Sequence, residues 1–466
     1  MRVPQNDDSY DGAPAGRPVR APLHRTLPGL SRDPLGTLVA LADRAPGRVV
    51  QVNLGTIRPY LVTEPAHVQH VLRDNAANYT RGGNSMLWKS VRKLAGDGIL
   101  GEGPEWEASR RRLQPHFTAK RVDAAVEALS QAISDAVDEL AAPTGRGEPI
   151  DAAKEISRII CQAVIRVFFG DKIKVADGVR VVAEQDTVAT ALRFRLLAPF
   201  MPDRVPMPGD RAFRQAVRNI DDILLPIVRA ERAHPDGGDD IFAALARARD
   251  AAGRPLDEQR VRDDVVAMFA TTTETTYVVL TWLFPLLEQH PDIAARLYAE
   301  IDEVVAPGDV VGREQLARLH YTRMVLDELL RTYPSGWLVP RTAVDDDVIG
   351  GTRIRAGGIV VLSPYVTHRL ARYWDRADVF DPERFGPDQP RRAHRYVYYP
   401  FGGGAHQCIG QYLFQLEAPL IVATLLSRYR FRLCRPGMPR PQLAASLRPG
   451  ERVDLLLTPH RQHVLS

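Results

Sequence analysis

Along most of this chain apolar residues recur three and four positions apart, the period of a helix with one buried face. Residues 119–245 read as mainly helical, with breaks at 143–147, 199–208 and 235–238. Shorter helices are predicted at 34–41 and 65–74. A long one is predicted at 411–428, where Leu413, Leu416, Leu420, Ala423 and Thr424 fall on one face. Alternation takes over only at 48–55 and 60–63, which read as two strands with Gly55 and Pro59 near the turn between them. The expected fold class is mainly α with a small β lobe. Residues 1–25 are expected to be a flexible N-terminal tail, with no apolar core for a signal peptide or anchor.

Two stretches do not fit a plain helix-and-loop reading. Residues 261–289 predict one long helix, yet its middle reads Ala270-Thr271-Thr272-Thr273-Glu274-Thr275-Thr276. β-Branched residues have mediocre helix propensity, and their hydroxyls compete for backbone carbonyls. Glu274 is the single charge over 265–287, and a carboxylate buried there is costly unless it is paired or does a job. Such a local inconsistency points to function, the alternative being threonines that only pack. The stretch is long enough to cross a bilayer, but its six threonines and Pro285 fit a helix buried in a large protein better. The second stretch is 79–100, weakly periodic, with Met86, Leu87 and Trp88 as its apolar face. It either lines a substrate pocket or is a surface loop with hydrophobic anchors.

Composition narrows the picture. At 466 residues the chain exceeds the roughly 250–300 that one core usually spans, leaving two domains or one large single-unit fold. A net charge of +4, spread without long basic runs, gives no case for nucleic acid. The three cysteines, Cys161, Cys408 and Cys434, form no C-x-x-C pair. That argues against a zinc site or disulfide framework and fits a reducing, cytoplasmic compartment.

Cys408 lies in Tyr399-Pro400-Phe401-Gly402-Gly403-Gly404-Ala405-His406-Gln407-Cys408-Ile409-Gly410-Gln411. Three consecutive glycines cannot sit inside a stable helix or strand, so the cysteine stands where a glycine bend runs into the helix at 411–428. Free N–H groups and the positive helix end there stabilise a thiolate. The bend lets the backbone approach a large flat partner, as a haem held by cysteine requires. Phe401, Gly404, His406, Cys408 and Gly410 stand in the spacing F-x-x-G-x-[H/R]-x-C-x-G, and on these residues the chain resembles the cytochrome P-450 family. The resemblance implies haem b as cofactor, Cys408 as axial thiolate, Phe401 packed over the cysteine side of the ring, and His406 on a propionate.

Further motifs follow in the family's order, over about residues 30 to 460. Trp106 and Arg110, four apart, share a helix face, and an indole and a guanidinium suit a carboxylate; on these residues alone an amphipathic helix with its arginines in water is the preferred account. Their spacing resembles the family helix that holds a propionate. Glu274-Thr275 match the family's acid–alcohol pair, which delivers protons to dioxygen, while Thr271 and Thr272 replace the usual Ala-Gly. Glu328 and Arg331, with Arg384 of Asp381-Pro382-Glu383-Arg384-Phe385, resemble the buried network that fixes the haem loop. His368, Arg369 and Trp374 complete the pattern. By resemblance Arg341 binds a propionate. The substrate is expected to meet Met86, Leu87, Trp88, Leu196, Thr271, Thr272, Trp337, Leu338, Val339 and Leu447.

The implied protein is a single cytochrome P-450 domain over 26–466, acting as a haem-thiolate monooxygenase on a small apolar natural product. No flavin or ferredoxin segment remains, so electrons are expected from a ferredoxin and its reductase, or a flavodoxin-type donor. No membrane partner is expected. Arg391, Arg392 and Arg395 suit an acidic donor, or are a solvated charged loop. Two alternatives stand beside this reading. One is oxidative cyclisation or coupling, suggested by the threonine run. The other is a non-catalytic haem-thiolate helper or sensor.

Overall fold

The structure, a computed structural model, describes residues 18–460 except 56, 82–91, 93, 171, 198–204, 235–237, 239, 251 and 391. By its contacts the chain forms two compact units, each built from two stretches. The first is Met1–Gly82 with Leu330–Cys408, the second Gly83–Leu329 with Ile409–Ser466.

In the first unit six short strands make one mixed sheet: β1 (Val19–Ala21), β2 (Val50–Val52), β3 (Tyr60–Val62), β4 (Tyr79–Thr80), β5 (Val339–Ala343) and β6 (Ile359–Leu362). Their order is β1-β2-β3-β6-β5-β4. β1 runs parallel to β2, with Val19 opposite Val50 and Ala21 opposite Val52. The expected tail therefore gives way to regular structure earlier than residue 25, and the part over 1–17 lies outside the described residues. One buried–exposed–buried triplet is too short for alternation to be read from sequence. β3 lies antiparallel to β2 and parallel to β6, and β5 pairs antiparallel with β6 and β4. Val62, Val71, Leu72, Val360, Leu362 and Tyr399 share one buried core. The predicted helix at 65–74 is present as Pro65–Gln69, continued by a π turn at His70–Asp74.

The second unit is mainly helical. α1 (Gly103–Leu113) and α2 (Val175–Leu197) are followed by α3 (Glu258–Phe269) and α4 (Thr275–Gln289). α5 (His320–Thr332) ends beyond the unit's first stretch, and α6 (Gln411–Arg428) has the bounds its periodicity predicts. The single helix expected over 261–289 is instead α3 and α4 joined by a π turn, Ala270–Glu274. Among the described residues one helical run, Gly404–Arg428, is long and apolar enough to cross a membrane, and 67% of its most apolar window is buried inside the protein. A hairpin of β7 (Pro441–Leu443) and β8 (Leu447–Pro449) docks on α4, where Trp282 Nε1 donates to the Leu447 carbonyl at 2.9 Å.

Candidate active site

The glycine bend in the first unit is held by its own backbone. Gly402 N–H donates to Tyr399 O at 2.9 Å, Gln407 N–H to Gly404 O at 3.1 Å, and Cys408 N–H to Phe401 O at 2.9 Å. Gly404 has a φ of +69°, and a Cβ there would lie 1.7 Å from the Leu72 carbonyl oxygen. Only glycine lets this loop meet that π turn. Phe401, His406 and Gly410 are half-buried and the Cys408 thiol is exposed.

Behind the loop, Arg331 is fully buried and donates to the carbonyls of His368 and Ala377, both at 2.8 Å, and of Val379 at 3.1 Å. Arg384 shares Val379 O at 3.4 Å and holds Arg376 O at 2.8 Å. His368 Nε2 in turn accepts the Tyr399 N–H at 3.0 Å. Burial, with Arg331 and Arg369 nearby, pushes the pKa of His368 well below its ordinary value, so the ring stays neutral and keeps this acceptor. Arg331 is thus linked through His368 to the start of the cysteine loop. Glu328, also fully buried, lies three residues earlier on α5. Arg341 is buried on β5. Trp337, Leu338 and Val339 are half-buried, and Val339 packs on the first unit's core.

In the second unit the threonine run coincides with the π turn. Such a turn lacks the ordinary i to i+4 ladder and is frequent at functional sites. The threonine hydroxyls supply carbonyl partners in its place: Thr271 Oγ1 donates to Ala267 O at 2.7 Å, Thr272 Oγ1 to Met268 O at 2.6 Å, and Thr275 Oγ1 to Thr271 O at 2.7 Å. Glu274 is half-buried rather than buried, and it is paired. It accepts from Ser446 Oγ at 2.6 Å and from Arg448 Nη2 at 2.5 Å. Arg448 also reaches Asp186 of α2 at 3.4 Å, and Tyr277 donates to the same Asp186 oxygen at 3.2 Å. Ser446, Arg448 and Asp186 were not anticipated. The nearest sequence signal was Leu447, flanked by both hairpin partners and fully buried.

On α1, Trp106 and Ser109 are buried and Arg110 is half-buried. Met86, Leu87, Trp88 and Arg391 lie outside the described residues, as does the side chain of Leu196.

Among the described residues no three His, Cys, Asp or Glu side chains gather to hold a bare metal ion. A single exposed cysteine on a glycine bend suits an iron that brings its remaining ligands in a macrocycle. An ideal Cβ at Gly402 would meet nothing within 4 Å, so the loop presents open space beside the sulfur's segment. The residues present fit a haem.

The profile of the cytochrome P450 family matches residues 14–459. The chain belongs to that family. This cytochrome P450 is 30% identical to a pentalenene oxygenase of Streptomyces avermitilis over 430 residues, covering 92% of this chain and 94% of the relative. It is 31% identical to a cyclooctatin synthase of Streptomyces melanosporofaciens, over 94% of both chains. The cyclooctat-9-en-7-ol 5-monooxygenase of the same species is also 31% identical, over 89% of both. Among solved structures, the haem domain of cytochrome P450DA superposes with a TM-score of 0.81 at 23% identity, covering 96% of this chain and 98% of that one. The P450 fold, the haem cofactor and the class of monooxygenase follow. As in the family, it takes electrons from redox partners and binds dioxygen and a small substrate.

Proposed function

We propose that this cytochrome P450 oxygenates a compact terpenoid hydrocarbon or alcohol in bacterial natural-product biosynthesis. Relatives of about its own length are named for pentalenene and cyclooctat-9-en-7-ol, an alkene and an unsaturated alcohol by their endings. In this reading Cys408 is the iron's axial thiolate, and Trp106, Arg110, Arg341 and His406 hold the propionates. Bound haem supplies the activation of dioxygen. Glu274 and Thr275 relay protons at Oε2 and Oγ1, with Ser446 and Arg448 holding the acid by Oε1. Trp337, Leu338, Val339 and Leu447 contact the substrate. The chain acts as one cytochrome P450 domain over 26–466 in the cytoplasm, with a ferredoxin and its reductase as electron source. Oxidative cyclisation draws no added support from Thr271 and Thr272, whose hydroxyls are engaged by carbonyls.

The observation that carries the reading is the exposed Cys408 on a backbone-locked glycine bend. The test is the carbon-monoxide difference spectrum of the reduced protein. The red-shifted band of a thiolate-ligated haem is expected for wild type and is lost in Cys408→Ser. A histidine-type band in freshly folded wild type would end the reading. Titration with pentalenene and cyclooctat-9-en-7-ol, followed by spin-state shift, then tests the substrate class.

A further inference from the structure

Asp264 of α3 is completely buried, and a desolvated carboxylate persists only where its partners repay the loss of water. Its partners come from α1. The Ser109 hydroxyl lies 2.7 and 2.9 Å from its two oxygens, and Arg112 Nη2 lies 3.4 Å from Oδ2. Arg260, four residues back on α3 and 4.0 Å from Asp264, also holds Glu105 Oε2 at 2.9 Å. Helix α1 is therefore fixed to α3 both at Glu105 and at Ser109 with Arg112. Between those points lie Trp106 and Arg110.

A third segment meets the same carboxylate. A Cβ on Gly98 would lie 2.2 Å from Asp264 Oδ1 and 3.4 Å from Ser109 Oγ. Just before it, Arg262 donates to the Leu94 carbonyl, and a Cβ on Gly96 would lie 2.2 Å from Asp263 Oδ2. Residues 94–98 thus run along three consecutive residues of α3, with Asp264 where they meet α1.

We propose that Asp264 is a positioning residue for haem retention. It fixes the height and rotation of α1 so that Trp106 and Arg110 reach the propionates, an inference that rests on the proposed role of those two residues. It does not touch the cofactor. Its effect runs through Ser109 and Arg112, in the manner of outer residues that orient a metal site's direct ligands.

The test follows haem loss from the intact holoprotein to excess apomyoglobin. Asp264→Asn keeps the side chain's shape and removes its charge, and is expected to speed haem loss roughly 10-fold. The position of the carbon-monoxide band stays fixed, because Cys408 is untouched. Ser109→Ala moves the rate the same way by less. Asp302→Asn, which breaks the 2.8 Å pair with Arg430 elsewhere in the unit, lowers Tm without changing haem loss. An Asp264→Asn protein that loses haem no faster than Asp302→Asn would overturn the inference. If Asp264→Asn does not fold, Gly98→Ala takes its place, since its methyl displaces the carboxylate; an unchanged rate there overturns the proposal equally. Arg110→Gln separates the two levels. Unchanged haem loss in that variant overturns the propionate reading and the proposal with it, whereas fast loss in Arg110→Gln alone overturns only the role of Asp264.

Discussion

Gly402 and Gly404 share a φ of +69° and differ in what a side chain would meet, open space at the first and Leu72 O at the second. Alanine at 402 incurs backbone strain alone, about 1 kcal/mol. At 404 the carbonyl clash forces the loop off its π turn, for a loss of about 3 kcal/mol or more by urea unfolding. Equal losses would mean that the contact does not matter. Glu417 is fully buried on α6, and neither of its oxygens meets a hydrogen-bond partner among the described residues. Burial pushes its pKa up to about 8. The unfolded chain releases that proton near pH ~4.3. Between those values the native state binds more protons than the unfolded one, so stability falls as pH rises. Glu417→Gln is expected to flatten the decline of Tm between about pH 5 and 9, and parallel curves for the two proteins would refute this. Cys408 was legible because its neighbours hold a fixed spacing. Asp264 and Arg448 were not, because their partners lie 155 and 174 residues away in the chain.

Periodicity located the long helices, and α6 to the residue, because many buried turns repeat one signal. It passed over β1 and β4 to β6, where strands of two to five residues offer too few alternations. The π turn was legible only as a place. A run of threonines and one acid in an apolar stretch marked it, but apolar spacing carries no sign of where a helix changes its hydrogen-bond step. Docking of the β7–β8 hairpin on α4 brings Ser446 and Arg448 to Glu274, so the acid's setting depends on an element far along the chain. Glu274→Gln is expected to lower product formation about 100-fold with the carbon-monoxide band unchanged. Arg448→Gln leaves Ser446 in place and falls between that variant and wild type. Product measured with a surrogate ferredoxin and reductase decides, and full activity in Glu274→Gln would remove the acid from the reaction.

For the molecule as a whole, charge bears on electron supply. Arg392 is exposed on the first unit yet packs its guanidinium over Phe385 and Tyr398, 4.6 and 4.7 Å from the ring centroids. An arginine held this way keeps its charge at a fixed point and loses little freedom on docking. Reduction by an acidic ferredoxin is expected to slow as ionic strength rises from about 0.05 to 0.5 M, with a shallower slope in Arg392→Gln. A salt-independent rate would rule out that partner. The pairing of β3 with β6 has a further consequence, for biogenesis. Leu61 and Val361 lie side by side although about 300 residues separate them along the chain, a loop whose closure carries an entropic penalty before any strand contact rewards it. On the ribosome β3 waits until β6 has emerged, while all of 83–329 is already synthesised and free to condense. The sheet, and with it the support of the cysteine loop, is a late event in the life of the nascent chain.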